Sequence, residues 1–157
     1  MSGASGRAQS GESKRTPNAE TPELVGWPIV EVVYPSRVST PELGPVMDEI
    51  DRMLERGEPF AVIHRTTSTL DTAARRYVAE RARASGAARS RYLVAEAVVT
   101  SSPLVRGVLS VVVWLGPHPN PIEAFDDLEA AREWCGGRMR ESVVVRGWDS
   151  LESVDTR

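Results

Sequence analysis

Between Val25 and Gly137, four strand-type apolar runs alternate with four segments of helical spacing, and this alternation narrows the fold more than any other feature of the chain. Trp27 to Tyr34 (WPIVEVVY) is rich in β-branched and aromatic residues, and Pro28 near its start suits a sheet edge, where a missing N–H is tolerated. Pro35 stops the run. Val46, Met47, Ile50, Met53 and Leu54 then recur at the spacing of one helix face, opposite Asp48, Glu49, Asp51, Arg52 and Glu55. Gly44 and Pro45 fit the entry of that helix and Gly57 its left-handed end. Pro59 to His64 (PFAVIH) is continuously apolar, the pattern of a central strand covered on both faces.

A polar loop, Arg65 to Thr69, leads into a second helix with Leu70, Ala73, Ala74, Tyr77, Val78 and Ala82 on one face, closed by Gly86. Tyr92 to Thr100 (YLVAEAVVT) reads as the third strand, interrupted by Glu96. In Ser102 to Leu115, the valines at 111, 112 and 113 favour strand, but Ser102 and Pro103 form a helix-entry pair. The segment is therefore predicted as a helix buried nearly all round. Gly116 to Pro121 makes a loop and Ile122 to Phe125 a fourth strand. Asp126 and Glu129 resemble a capping box for a last helix, with Leu128, Ala131, Trp134 and Cys135 on one face and Gly136 and Gly137 at its end. The order βαβαβαβα predicts an α/β fold with a largely parallel sheet and right-handed crossovers.

At the ends the pattern stops. Residues 1–24 offer only Met1, Ala4, Ala8, Ala19 and Leu24 as hydrophobic residues, too little to offset the entropy of ordering, and predict a disordered tail. Residues 25–137 are the predicted domain; 138–157 form an extension in which Ser142 to Val145 could add an edge strand or pack on the body. No apolar h-region follows Met1 and no run reaches the roughly 20 residues needed to span a bilayer, so the expectation is a cytoplasmic protein with no transmembrane segment. The single cysteine, Cys135, excludes an intramolecular disulfide.

A formal net charge of −3 argues against broad nonspecific binding to nucleic acid. It averages over two opposed segments. Residues 65–91 carry seven arginines against two acids, a local net of +5, and residues 41–58 six acids against two arginines, a local net of −4. Arginine makes up 18 of the 19 basic residues, which GC-rich codon usage explains as well as any chemistry does.

Thr66, Thr67, Ser68, Thr69 and Thr72 cluster where the second helix begins, and backbone N–H groups with the helix dipole favour an anion there. Arg65, Arg75 and Arg76 lie close enough in sequence to bind a phosphate or a partner. Ser68, Thr69 and Thr72 are thus the candidate phosphorylation or anion site, set against the plainer reading that Ser68 or Thr69 only caps the helix. Arg106, the one charge on an apolar helix, needs a partner, and Glu96 is the candidate for a structural ion pair. His64 and His118 lack the companion spacing of a metal site, Cys135 reads as a buried small hydrophobe, and no nucleophile elbow, phosphate loop, dinucleotide fingerprint or zinc-protease motif occurs. Catalytic residues, metal and cofactor are all expected to be absent.

The segment from Ala95 to Trp134, with its strand ending in VV, SPLVRGVL, the WL end, a Pro-rich loop and an Ala-Ala-x-x-Trp helix, resembles the STAS-like family of uncharacterised bacterial proteins. WPIV, RGEPFAVI and ARRYVAE upstream agree, so the resemblance spans roughly residues 26–135. It implies a small mixed sheet, about four-stranded, with four helices packed mainly on one side. Relatives of that fold include anti-sigma-factor antagonists and lipid-exchanging CRAL-TRIO domains. In the antagonists a phosphorylatable Ser or Thr starts the helix after a central strand, within a motif like Asp-Ser-Ser-Gly. Asp71-Thr72-Ala73-Ala74 mirrors that motif loosely: Thr replaces the first Ser, Ala73 the second and Ala74 the Gly, and the loop is about one residue short.

Two function classes lead, ahead of a third, an enzyme, for which the sequence names no catalytic residues. One is a noncatalytic regulatory module that presents residues 65–72 and the arginine face of the second helix to an acidic protein partner, with self-association through the acidic first helix as a variant. The other is a small-molecule or lipid carrier, suggested by the fold relatives and by the apolar stretch 104–115.

Overall fold

A computed structural model describes residues 23–35, 38–67, 70–107 and 120–146. The strands are β1 (Glu23–Val25), β2 (Ile29–Val33), β3 (Phe60–Arg65), β4 (Leu93–Val99) and β5 (Ile122–Phe125). The helices are α1 (Thr40–Glu55), α2 (Thr72–Ala84), α3 (Gly86–Tyr92) and α4 (Leu128–Arg146), with a further helical turn at 103–107. All five strands form one sheet in sequence order. β2 to β5 are parallel, and β1 pairs antiparallel with β2, so the sheet is mixed.

Parallel neighbours in sequence order, joined by right-handed crossovers, place their connecting helices on one face. Val30, Val32, Phe60, Val62 and Leu93 accordingly pack against Val46, Met47, Ile50, Met53 and Leu54 of α1, with Tyr77 and Val78 of α2 and Ala88 and Tyr92 of α3 alongside. α4 covers the opposite face, where Ala131, Cys135 and Trp134 meet Ala61, Ile63, Ala95 and Ala97. Small alanines at those strand positions let α4 lie close. The fully buried Phe60, Leu43 and Ile50 each contribute roughly 1.5–3 kcal/mol by leaving water.

Several boundaries depart from the sequence reading, each for a local reason. Glu23 and Leu24, predicted as tail, lie in β1; three residues carry no periodicity, and their stability comes from pairing with Glu31 to Val33. Pro28 therefore does not mark an edge strand. It precedes a strand paired on both sides, and its carbonyl accepts from the Ala61 N–H at 2.9 Å. The reversal between β1 and β2 requires glycine at 26, where φ is +95° and a Cβ would come 2.7 Å from the Ile29 carbonyl oxygen. α1 starts at Thr40, well before Gly44. Ser39 caps it, its N–H donating to the Glu42 carboxylate at 2.7 Å, and Pro45 sits inside the helix.

Gly86 opens α3 where it was expected to close α2, and Asp127, not Asp126, caps α4 by accepting from the Ala130 N–H at 2.9 Å. Gly136 and Gly137 lie within α4, which runs on to Arg146, so Ser142 to Val145 are helical and form no edge strand. Ser102 does cap the turn at 103–107, accepting from the Val105 N–H at 3.4 Å. That turn is not buried all round, because Leu104 is 68% exposed; the rest of the predicted helix, residues 108–115, lies outside the described residues.

Candidate functional site

β3 delivers His64 and Arg65 to the carboxyl end of the parallel sheet, from which the chain passes through residues 66–71 into α2. Ligands of open α/β folds gather at this end of the strands. The pleat sends the two residues to opposite faces.

Arg65 points to the α4 side. There Glu31 of β2 sits between Arg65, at 3.8 Å, and Arg132 of α4, whose Nε donates to it at 2.7 Å. Arg65 is thus engaged within the fold. Thr66 continues the sheet, its N–H donating to the Val99 carbonyl at 3.1 Å. Ser68 and Thr69 lie outside the described residues.

Asp71 caps α2, its carboxylate accepting from the Ala74 N–H at 2.7 Å; the helix needs neither Ser68 nor Thr69 for this cap. Thr72, the first helical residue, is exposed, and its hydroxyl oxygen accepts from Arg75 Nη2 at 3.3 Å. Arg75 Nε also reaches the Asp71 carbonyl at 3.4 Å, folding the guanidinium over the start of the helix. Arg76 is exposed one residue on, 4.0 Å from Glu80. The structure therefore brings Thr72 and Arg75 together and leaves Arg65 elsewhere.

His64 points to the other face, into a polar chain the sequence reading missed. The Tyr34 hydroxyl lies 2.9 Å from His64 Nδ1, and His64 Nε2 lies 3.3 Å from Glu96 Oε2. Arg89 of α3 donates from Nη2 to Glu96 Oε1 at 3.0 Å. The His64, Glu96 and Arg89 side chains are 15%, 12% and 9% exposed, so this is a nearly dry ion pair with a histidine attached. Burial works to raise the Glu96 pKa, but the hydrogen bonds and charges of His64 and Arg89 outweigh it and hold the carboxyl at about 2. Glu96 is an anion throughout the physiological range and draws the Nε2 proton of His64 toward itself. When the ring is neutral with its proton on Nε2, His64 Nδ1 accepts from the Tyr34 hydroxyl. Burial, reinforced by the Glu96 charge and opposed by Arg89, pushes the Tyr34 phenol above its ordinary value.

The predicted Glu96–Arg106 pair is thereby corrected. Arg89, seven residues before Glu96 and across the α3–β4 turn, is its partner, and Arg106 lies 3.6 Å from Asp126. The available signal was Glu96 itself, the lone charge in an apolar strand. Arg89 Nη1 is buried without a hydrogen-bond partner among the described residues.

The two opposed charge segments also meet inside the molecule. Arg81 of α2 donates to Asp48 at 2.8 Å and to Asp51 at 2.5 Å, tying α2 to α1. Cys135 is fully buried beneath α4, and burial pushes its thiol up to about 12. Among the described residues, no three His, Cys, Asp or Glu side chains gather as metal ligands would, and no helix is long and apolar enough to cross a membrane.

The comparison that decides the fold is with an uncharacterised protein of the DUF3478 family from Shewanella loihica PV-4, itself described as SpoIIAA-like. It superposes with a TM-score of 0.52 at 12% identity, over 76% of this chain and 98% of that one. The chain has a SpoIIAA-like fold. The STAS-like resemblance and the α/β class expected from the sequence are borne out. No family model matches the sequence, and no curated protein does. At this identity the SpoIIAA-like likeness extends to architecture and not to activity.

Proposed function

We propose that this SpoIIAA-like chain is a noncatalytic regulatory module that acts through a protein partner and is switched by a phosphoryl group on Thr72. The observation carrying the reading is the exposed Thr72 hydroxyl at the first turn of α2, already within hydrogen-bond reach of Arg75. A phosphoryl group there would bring a charge of about −2 to a helix N-terminus beside a guanidinium, where charge-assisted hydrogen bonds stabilise it. Asp71, not Thr72, accepts from the Ala74 N–H, so the cap hydrogen bond does not use the hydroxyl that would be modified.

A noncatalytic role agrees with the state of the buried groups. Tyr34, His64 and Glu96 have the connectivity of a nucleophile, base and carboxylate. Their contacts are accounted for by the ion pair of Glu96 with Arg89 and by the packing around it, and Cys135 is fully buried in the core beneath α4.

The test is phosphopeptide mapping of the chain purified from its native host, beside Thr72→Ala and Thr72→Glu variants. Phosphate on Thr72, and loss of a co-purifying partner in Thr72→Glu with unchanged circular dichroism, is the expected result. A residue 72 unmodified in every growth condition overturns the switch.

A further inference from the structure

We infer that the outer face of α2 docks an acidic protein segment whose carboxylates lie roughly 10 Å apart. The inference deepens the partner reading above and does not require Thr72 to be phosphorylated. Thr72, Arg76, Ala79 and Arg83 follow one another at intervals of four, three and four residues, which aligns them in one stripe along the helix. All four are exposed, and Arg75 flanks the stripe. From Arg76 to Arg83 is two turns, about 10 Å at the helical rise.

The internal pairing shows which charges remain for a partner. Of the six arginines between Thr72 and Tyr92, Arg81 is consumed by Asp48 and Asp51 and Arg89 by Glu96. Arg75, Arg76 and Arg83 of α2 face outward, and the one acid among them, Glu80, lies 4.0 Å from Arg76 with both side chains largely exposed. A helix surface built only for solvent interleaves acids with its arginines for the gain of pairs one turn apart. Here the only such pair is the weak, exposed Arg76–Glu80 contact, and exposed alanines, Ala73, Ala79 and Ala84, space the arginines so that a partner backbone can approach and guanidinium forks can meet carboxylates in pairs.

The same accounting selects the occupant. A second copy would have to offer α1, but Asp48 and Asp51 are engaged by Arg81, Glu49 by Arg52 and Glu58 by Arg56, so that acidic face is largely neutralised already. A membrane surface would need apolar side chains to insert, and the face offers alanine. A nucleic acid would need stacking aromatics or a wider basic field than a chain of net charge −3 provides. A different protein with an acidic segment fits best. Thr72 stands at the head of the stripe, so a phosphoryl group there would compete with that segment for Arg75 and Arg76.

The test uses the full chain and a fluorescent helical peptide bearing glutamates seven residues apart, with a glutamine twin as control. Binding read by anisotropy is expected to weaken as salt rises, to fall by about tenfold or more in Arg76→Glu/Arg83→Glu, and to persist in Arg138→Glu on the far side of the sheet. Circular dichroism of each variant excludes unfolding as the cause. No binding by the wild type, equal binding of the glutamine twin, an unaffected double reversal, or tighter binding to phosphatidylserine vesicles or single-stranded RNA each overturns the inference. Failure of the switch would leave this docking result standing, and loss of docking would leave mapped phosphate unexplained but real.

Discussion

Removing Arg89 should expose how much the buried polar chain contributes to folding. In Arg89→Ala the Glu96 carboxylate, 12% exposed, keeps His64 and loses its only guanidinium among the described contacts. Breaking one side of a buried ion pair costs about 3–5 kcal/mol, and the surviving His64 contact places this case near the lower bound, about 3 kcal/mol. The direction of the Glu96 titration agrees, since the hydrogen bonds and charges of His64 and Arg89 stabilise its charged form in the fold. Urea denaturation at neutral pH reads the loss, and the melting temperature should fall by on the order of 10 °C. The pH dependence has a fixed sign. Because the folded pKa of Glu96 is depressed, its contribution is present above 4.5 and is lost as pH falls toward about 2, so the gap between wild type and variant should close across that window. Glu96→Gln in the same background should recover part of the loss, since no unpaired charge then remains. A loss below about 1 kcal/mol, or strict additivity of the two substitutions, would refute the view that this pair is dry and coupled.

Three further perturbations test other parts of the fold. Gly137→Ala should stabilise by up to about 1 kcal/mol, raising the melting temperature, because the residue lies inside α4 and a Cβ there meets only the far end of Arg140 at 4.0 Å. Asp71→Ala should cost about 1 kcal/mol in urea titration through loss of the α2 cap, whereas Asp71→Asn should cost less. With its thiol pushed up to about 12, Cys135 should resist iodoacetamide at pH 8 in the native chain and react readily in urea; rapid native labelling would show that α4 opens.

Local periodicity was legible, and pairing between distant segments was not. β3 and β5 stand where their apolar runs lie, and the core-facing residues of α1 and α4 are those its spacing selected. β1 escaped because its stability is in the ladder to β2. The end of α4 was misread because two glycines do cost helix propensity, about 1 kcal/mol each, but the apolar face packed on the sheet outweighs it. In the site, the Thr72 hydroxyl could be read from its place before a helical pattern. The partners of Glu96 could not. His64 sits opposite Val98, which puts Glu96 one pleat along the same face, and that registration depends on a bulge between Phe60 and Ala61 that no composition reveals.

The two faces of the sheet are covered by segments that emerge at different times in the synthesis of the chain. One is covered by helices that lie between the strands they protect, so it can form as soon as β4 is made. The other waits for α4, whose Arg132 reaches back to Glu31 across 101 residues of sequence. A chain that has emerged only as far as β5 therefore presents Ala61, Ile63, Ala95 and Ala97 bare to solvent. During synthesis that bare face is the surface a chaperone would hold, and any truncation before Leu128 should leave it exposed and prone to aggregation.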